Sequence, residues 1–244
     1  MVEANEIGFY YKSENWLFKD IDFRLLAGEI LAILGPNGRG KTTLLKCMAG
    51  LLKPCKGSIR APSKIGFVPQ LSAPPQGFSV FDIVLMGASA SKGVFEIPGA
   101  KEYKIAEESC ELVGIENLLD KEFSELSGGQ RQMVLIARAL CHGRETLILD
   151  EPASALDLAN QKKLSSLLQK LAACGTTIIM TTHAPNHAFD IADKSLMLFG
   201  GDEYLFGDTK EVLDSNNLSR LFATKIVCVN YEADGKNEIA AVAV

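Results

Sequence analysis

EILAILGPNGRGKTTLLKCMAG, residues Glu29 to Gly50, is an apolar run, a glycine-rich turn and a helical run in immediate succession. Glu29 to Gly35 is short, apolar and closed by a turn, as a buried strand should be. Gly35-Pro36-Asn37-Gly38-Arg39-Gly40-Lys41-Thr42 fits GxxxxGK[ST], and Thr43 opens the helical run TLLKCMAG. Glycines let such a loop curl so that its N–H groups point inward at phosphate oxygens, and the following helix presents its positive end to the same anion. In that geometry Lys41 reaches the β- and γ-phosphates of a nucleotide and the Thr42 hydroxyl binds Mg²⁺. By itself the motif specifies a nucleotide triphosphatase and leaves many families open.

Outward from this unit, apolar runs recur: Ile65 to Pro69 (IGFVP), Thr146 to Asp150 (TLILD) and Thr176 to Thr181 (TTIIMT) read as further buried strands, and Leu158 to Ala173 as a flanking helix. Strands alternating with longer helical segments predict an α/β domain around a mainly parallel sheet. Three of these strands end in polar residues, on the edge where open α/β sheets bind ligands. Asp150 is placed to hold Mg²⁺ through its water shell. Glu151, one residue further, can face the γ-phosphate and polarise the attacking water; the bland alternative is a solvated acidic turn. Gln70 could touch metal and water, and His183 could bridge Glu151, water and γ-phosphate, although a lone Gln or His at a strand end is more often a surface residue.

Composition narrows the partners. At 244 residues, with 47% hydrophobic and 23% charged residues, the chain has the profile of one folded domain with room for an inserted lobe. A formal net charge of −5 argues against coating nucleic acid. Met1 to Lys19 lacks a basic-then-apolar leader pattern and nowhere does an apolar run reach the ~18 residues of a membrane span, so the chain is expected to be neither secreted nor membrane-spanning by itself. Six scattered cysteines, Cys47, Cys55, Cys110, Cys141, Cys174 and Cys228, read as reduced, mostly buried thiols. His183 and His187 are four apart, but Pro185 between them opposes a helix carrying both, so a two-His metal site is not expected. No internal repeat is visible.

Leu126-Ser127-Gly128-Gly129-Gln130 opens the apolar helix MVLIARAL, with Ser127 as its cap and the glycine N–H groups as a second anion cradle. With this LSGGQ run the chain resembles an ATP-binding-cassette ATPase over nearly its whole length. The resemblance implies a P-loop NTPase (RecA-like) α/β core with a mainly parallel sheet, an antiparallel β subdomain and an inserted α-helical subdomain. It divides one cassette into a catalytic core at about 1–75 and 140–244 and a helical subdomain at about 76–139. The resemblance also implies a homodimer, because LSGGQ of one subunit covers the γ-phosphate held by the phosphate loop of the other. ATP would thus be gripped by Gly35, Pro36, Asn37, Gly38, Arg39, Gly40, Lys41, Thr42 and Thr43 of one copy. Ser127, Gly128, Gly129 and Gln130 would close on it from the other, with Asp157 of the Ser154-Ala155-Leu156-Asp157 D-loop. Gln70 matches the Q-loop and joins Thr42 and Asp150 at Mg²⁺; Glu151, His183, Gln70 and Lys41 form the catalytic set. In Phe9-Tyr10-Tyr11 the spacing favours Tyr11 as the adenine-stacking aromatic, with a core tyrosine as the alternative. Arg39 departs from the small residue usual in the family and either contacts phosphate or points to solvent.

The same engine drives importers, exporters, repair proteins and translation factors. A separate short cassette without a long coiled coil, a second cassette or fused membrane helices resembles a bacterial importer subunit. Phe78 to Gly87 (FSVFDIVLMG) resembles the metal-chelate importers, which handle iron complexes, haem, cobalamin and in some members molybdate or tungstate; IGFYY and SALDLANQ are most like the molybdate type. That reading implies a permease dimer contacted near Gln70 to Met86, an extracytoplasmic substrate-binding protein, and a peripheral place on the cytoplasmic face of the membrane. The alternatives are a non-transport cytosolic ATPase acting on soluble partners and an exporter subunit. The segment after Phe206 reads as short strands and helices ending in a polar tail, with no chemistry attached.

Overall fold

The computed structural model describes residues 1–12, 15–70, 75–90, 96–154, 156–233 and 235–244. In chain order its strands and helices are β1 (Val2–Phe9), β2 (Phe18–Leu25), β3 (Ile30–Leu34), α1 (Lys41–Met48), β4 (Lys56–Arg60), β5 (Ile65–Val68), α2 (Val80–Ala88), α3 (Ala100–Val113), α4 (Gly128–His142) and β6 (Thr146–Leu149). There follow α5 (Leu158–Ala173), β7 (Thr177–Thr182), α6 (Pro185–Ile191), β8 (Lys194–Gly200), β9 (Glu203–Asp208), α7 (Thr209–Val212), α8 (Ser215–Phe222), β10 (Ile226–Ala233) and β11 (Lys236–Ala243).

A six-stranded sheet in the order β5-β6-β7-β3-β8-β9 forms the centre, parallel throughout except for β9, which pairs antiparallel with β8. Because successive side chains point to opposite faces, each central strand feeds two cores. Ile30, Ala32 and Leu34 of β3, with Leu147, Leu149, Ile178 and Met180, pack toward the helical layer of α2 to α6 and α8. Leu31, Ile33, Ile148 and Ile179 pack toward α1 and the antiparallel sheet β2-β1-β4. A strand buried on both faces can be apolar at every position, as β3 is; β6 is buried throughout and apolar after its first residue, Thr146.

Local chemistry sets the helix ends. Ser79 and Asp82 form a reciprocal capping box at α2, and Ser127 and Gln130 another at α4. Helix α5 spans the residues read from sequence, with the Asp157 carboxylate accepting from Asn160 N at 2.8 Å. Helix α3 ends at Val113, where Gly114 adopts φ +76 and closes the helix; Glu116–Leu118 is a separate short turn of 3₁₀ helix. Helices α2, α3 and α4 pack on one another and share one apolar core with the sheet.

Three further expectations are corrected. IGFVP is not a fully buried strand: β5 is the sheet's edge, and Ile65 and Phe67 are half-buried. The C-terminus is not a polar tail; β10 and β11 form an antiparallel hairpin whose β11 lies on α6, clamped by Asn186, which donates to Ala241 O and accepts from Ala241 N. The cysteines are less buried than expected: Cys47 and Cys110 are buried, Cys141 and Cys228 half-buried, and Cys55 and Cys174 exposed. Among the described residues no helix is long and apolar enough to cross a membrane. Ala155 of the D-loop and residues 71–74 and 91–95 of the segment after Gln70 lie outside the described residues.

Candidate functional site

Register in the sheet assembles the site. Val68 pairs with Leu149, Leu149 with Met180, and Leu34 with Thr182, so β5, β6, β7 and β3 end side by side. Their next residues are therefore neighbours in space: the Gln70 segment, Asp150-Glu151, His183 and the phosphate loop. A cleft of about 440 Å³ opens there, lined by Tyr11, Leu17, Asn37, Gly38, Gly40, Lys41, Thr42, Thr43, Gln70, Glu151 and His183.

The loop floor is built for an anion. Gly40 holds φ +91 at the start of α1, and no side chain caps that helix. A Cβ on Gly40 would stand 2.8 Å from Leu17 Cγ, so both the backbone angle and the close approach require glycine. The leading N–H groups of α1, from Lys41, Thr42 and Thr43, lack intrahelical acceptors and carry the positive end of the helix into the cleft. Lys41 is 5% exposed, its Nζ donating to Gly35 O at 2.7 Å and Pro36 O at 3.2 Å, with His183 Nδ1 at 3.5 Å. Burial pulls the Lys41 ammonium below its ordinary pKa, and the negative charges of Glu151 and Asp150 oppose that pull.

The acids form a second layer. Asp150 is 4% exposed and accepts from Thr181 Oγ1 at 2.7 Å; the same oxygen accepts from Glu151 N at 2.8 Å. Glu151 sits at φ +50, a conformation costly for a residue with a Cβ, and three neighbours hold it there. Besides the bond to Thr181, one carboxylate oxygen contacts His183 Nε2 and the other accepts from Gln70 Nε2 at 3.3 Å. If His183 donates from Nε2 to Glu151, its Nδ1 is left as an acceptor facing Lys41 Nζ. The result is a chain of side chains from Gln70 through Glu151 and His183 to Lys41.

The Thr42 hydroxyl and Gln70 carboxamide on the cleft wall, with the Asp150 carboxylate set behind it, are all hard oxygen donors. That set suits Mg²⁺ held together with substrate phosphates and water. Among the described residues no group of three His, Cys, Asp or Glu could hold a metal ion alone. His183 precedes α6, whose first residue is Pro185, and His187 lies buried within that helix, so the two do not share a helix face.

Tyr11 is exposed just beyond the end of β1, edge-on to Phe9, with its hydroxyl 3.0 Å from Thr43 Oγ1; Phe9 takes the core position. Of the two expectations for Arg39 the second holds: the residue is exposed and its side chain lies over Gly200, outside the cleft wall. Ser127, Gly128, Gly129, Gln130 and Asp157 do not line the Lys41 cleft. Ser127 and Gln130 cap α4, and a Cβ on Gly129 would stand 2.9 Å from Asn160 Cγ, so glycine lets the signature turn seat against α5. Two contributors were missed in the sequence, Leu17 under Gly40 and Thr181 between the two acids. Neither carried a signal of its own: Thr181 is one of several threonines in TTIIMTT, and Leu17 stands in the apolar run WLF.

A family model described as "ABC transporter" matches residues 18–154. The molybdate import ATP-binding protein MolC of Haemophilus influenzae is 45% identical over 222 residues, 91% of this chain and 87% of that protein. Of solved structures, an inward-facing ABC transporter provisionally assigned to the metal-chelate type superposes with a TM-score of 0.93 at 40% identity, covering 100% of this chain and 97% of that one. A bacterial ABC transporter cassette solved as a dimer gives a TM-score of 0.70 at 27% identity, over 86% and 99%.

Proposed function

Since the chain belongs to the ABC transporter family of ATP-binding cassettes and is an ATPase of that fold, we propose that it is the nucleotide-binding subunit of an importer for a metal chelate or oxyanion. Two copies close on two ATP and act on a separate permease dimer. The observation that carries this reading is the split of the phosphate-binding parts: Lys41 and the α1 N-terminus line one cleft, while Ser127 to Gln130 lie elsewhere on the same chain. A second copy supplies what the first cannot. The relative solved as a dimer supports that arrangement, and the molybdate and metal-chelate relatives support import of such cargo.

Within the cleft, Tyr11 would stack on adenine, and the phosphate loop, Lys41 and Thr43 would hold the phosphates. Lys41 already binds two carbonyl oxygens, so phosphate oxygens replace existing acceptors rather than open water. Thr42, Gln70 and Asp150 would hold Mg²⁺, which would neutralise charge between the β- and γ-phosphates. Glu151 orients and polarises the attacking water, His183 supports its carboxylate, and Gln70 links both to the segment that follows. The partner copy's signature turn and Asp157 close over the γ-phosphate. The cavity of about 370 Å³ near Leu51, Phe67, Met86 and Arg138, with Leu51 and Met86 exposed, would be the surface for the permease, and the chain would then work at the cytoplasmic face of the membrane. An extracytoplasmic binding protein would deliver the cargo.

Glu151→Gln tests the central assignment. It should leave ATP binding intact, lower turnover by about 10²-fold or more, and trap an ATP-dependent dimer visible by size-exclusion chromatography. Turnover at the parent rate would remove Glu151 from its role.

A further inference from the structure

The hairpin of β10 and β11 carries an apolar face that no described residue covers. Val227 pairs with Val242, Val229 with Ala240 and Tyr231 with Glu238, and paired residues point to the same side of a hairpin. Ile226, Cys228 and Ala241, on the opposite side, pack on the main core. The outer side is therefore Val227, Val229, Tyr231, Ala240 and Val242, with Val229 40%, Tyr231 45% and Val242 44% exposed. On a sheet with one face on the core the other face is normally polar, so a contiguous apolar outer face marks a contact surface.

Both edges of the hairpin are already engaged. On β10, Ile226 N donates to Ser219 Oγ and Cys228 N to Ser215 Oγ, each at 2.8 Å; on β11, Asn186 holds Ala241. Strand addition is blocked at those positions, and a partner has to meet the face instead. The open apolar area is roughly 300 Å² per copy, and a contact of twice that falls well short of the ~1,200 Å² of a stable interface. Such a face suits a molecule already held against the chain by a larger contact, and a second copy closing over the ATP cleft is one. Asn186, three residues past the cleft residue His183, ties the hairpin to the side that closes.

Charge along the face fits the same occupant. Lys225, whose carbonyl accepts from Val244 N, continues the outer row at one end; it is exposed and has no ion pair among the described residues. Glu238 stands at the other end of the row, near Asp190 of α6. Burial, and then the Glu238 charge, hold Asp190 above its ordinary pKa, and no described basic group pairs with either acid. Apolar rows between a cation and an anion are self-complementary when two copies stack antiparallel about a two-fold axis. We propose that the outer faces of two hairpins stack in this way, setting Lys225 of each copy against Glu238 and Tyr231 of the other with the valines between. The contact is a second junction of the dimer, outside the ATP sites. It rests on the pairing of two copies proposed above.

The test is sedimentation equilibrium of the purified full chain with ATP, in a Glu151→Gln background that keeps the nucleotide intact, with thermal melts alongside. Val229→Lys should raise the dimer Kd about tenfold. Should that variant melt below the assay temperature, Val242→Lys makes the same comparison. Lys225→Glu and Glu238→Lys should each raise the Kd about threefold or more. The double variant carrying both changes should return it to within about twofold of the Glu151→Gln protein, because the reversal restores both pairs across the axis. An unchanged Kd for Val229→Lys, or a double variant as weak as its single swaps, overturns the proposal. Two failures are told apart by the background itself. If Glu151→Gln does not dimerise with ATP, the composite-site reading falls and takes the junction with it; if it dimerises equally well in every variant, only the junction falls.

Discussion

Replacing Thr181 with Val deletes one oxygen from the middle of the site and leaves the side-chain outline almost unchanged. Thr181 is fully buried, and its Oγ1 donates to the Asp150 carboxylate at 2.7 Å while accepting from Glu151 N at 2.8 Å. A hydrogen bond to a carboxylate contributes about 1.5–3 kcal/mol and a neutral one about 0.5–1.5 kcal/mol, and both partners stay in place with no substitute, so the expected loss is about 3 kcal/mol. For a domain of this size that lowers the melting temperature by roughly 6–12 °C. Thr181→Ser keeps the oxygen and loses one methyl, about 1 kcal/mol. The same oxygen helps hold Glu151 at φ +50, so Thr181→Val should also lower kcat at unchanged ATP affinity. Circular-dichroism melts and ATPase assays on the two variants decide the matter. A Val variant that melts within about 2 °C of the parent and hydrolyses like the Ser variant refutes the reasoning, because Thr181 would then contribute shape alone.

Lys41→Ala should weaken ATP binding by about tenfold or more, measured by equilibrium titration, since it removes a buried cation that lines the cleft beside the loop carbonyls; unchanged affinity would take Lys41 out of the phosphate site. Thiol titration at pH 8 should modify Cys55 and Cys174 quickly and leave Cys47 and Cys110 unmodified until the chain is unfolded. Burial, with the nearby Cys55 and Cys141 thiols, pushes Cys47 to about 11 and Cys110 to about 12, so almost no reactive thiolate forms at that pH. Rapid labelling of Cys110 in the native protein would contradict the buried α3–α4 packing.

The sequence alone determined the elements whose cause is local. GPNGRGKT between an apolar run and a helical run can hardly be other than a phosphate loop, because only glycine tolerates φ +91 at position 40. Asp157 before an apolar-periodic run fixed the start of α5, and Ser127 with Gln130 fixed that of α4. Gln70, Asp150, Glu151 and His183 were legible only together, as polar ends of apolar strands in a chain that also carries the phosphate loop and LSGGQ; singly, each has an ordinary surface reading. Tertiary structure decided what depends on residues far apart in the chain. Strand order and register place Gln70 against Glu151 and His183 against Lys41, and no local pattern encodes which strand lies beside which. Thr181 read as one more strand residue until β6 was seen beside β7, Arg39 left the cleft because Gly200 makes room for it, and His187 became a polar group needing a partner only once α6 was packed. Periodicity reports which face of an element is apolar; what meets that face, and which buried polar atoms find partners, is settled only when distant segments pack.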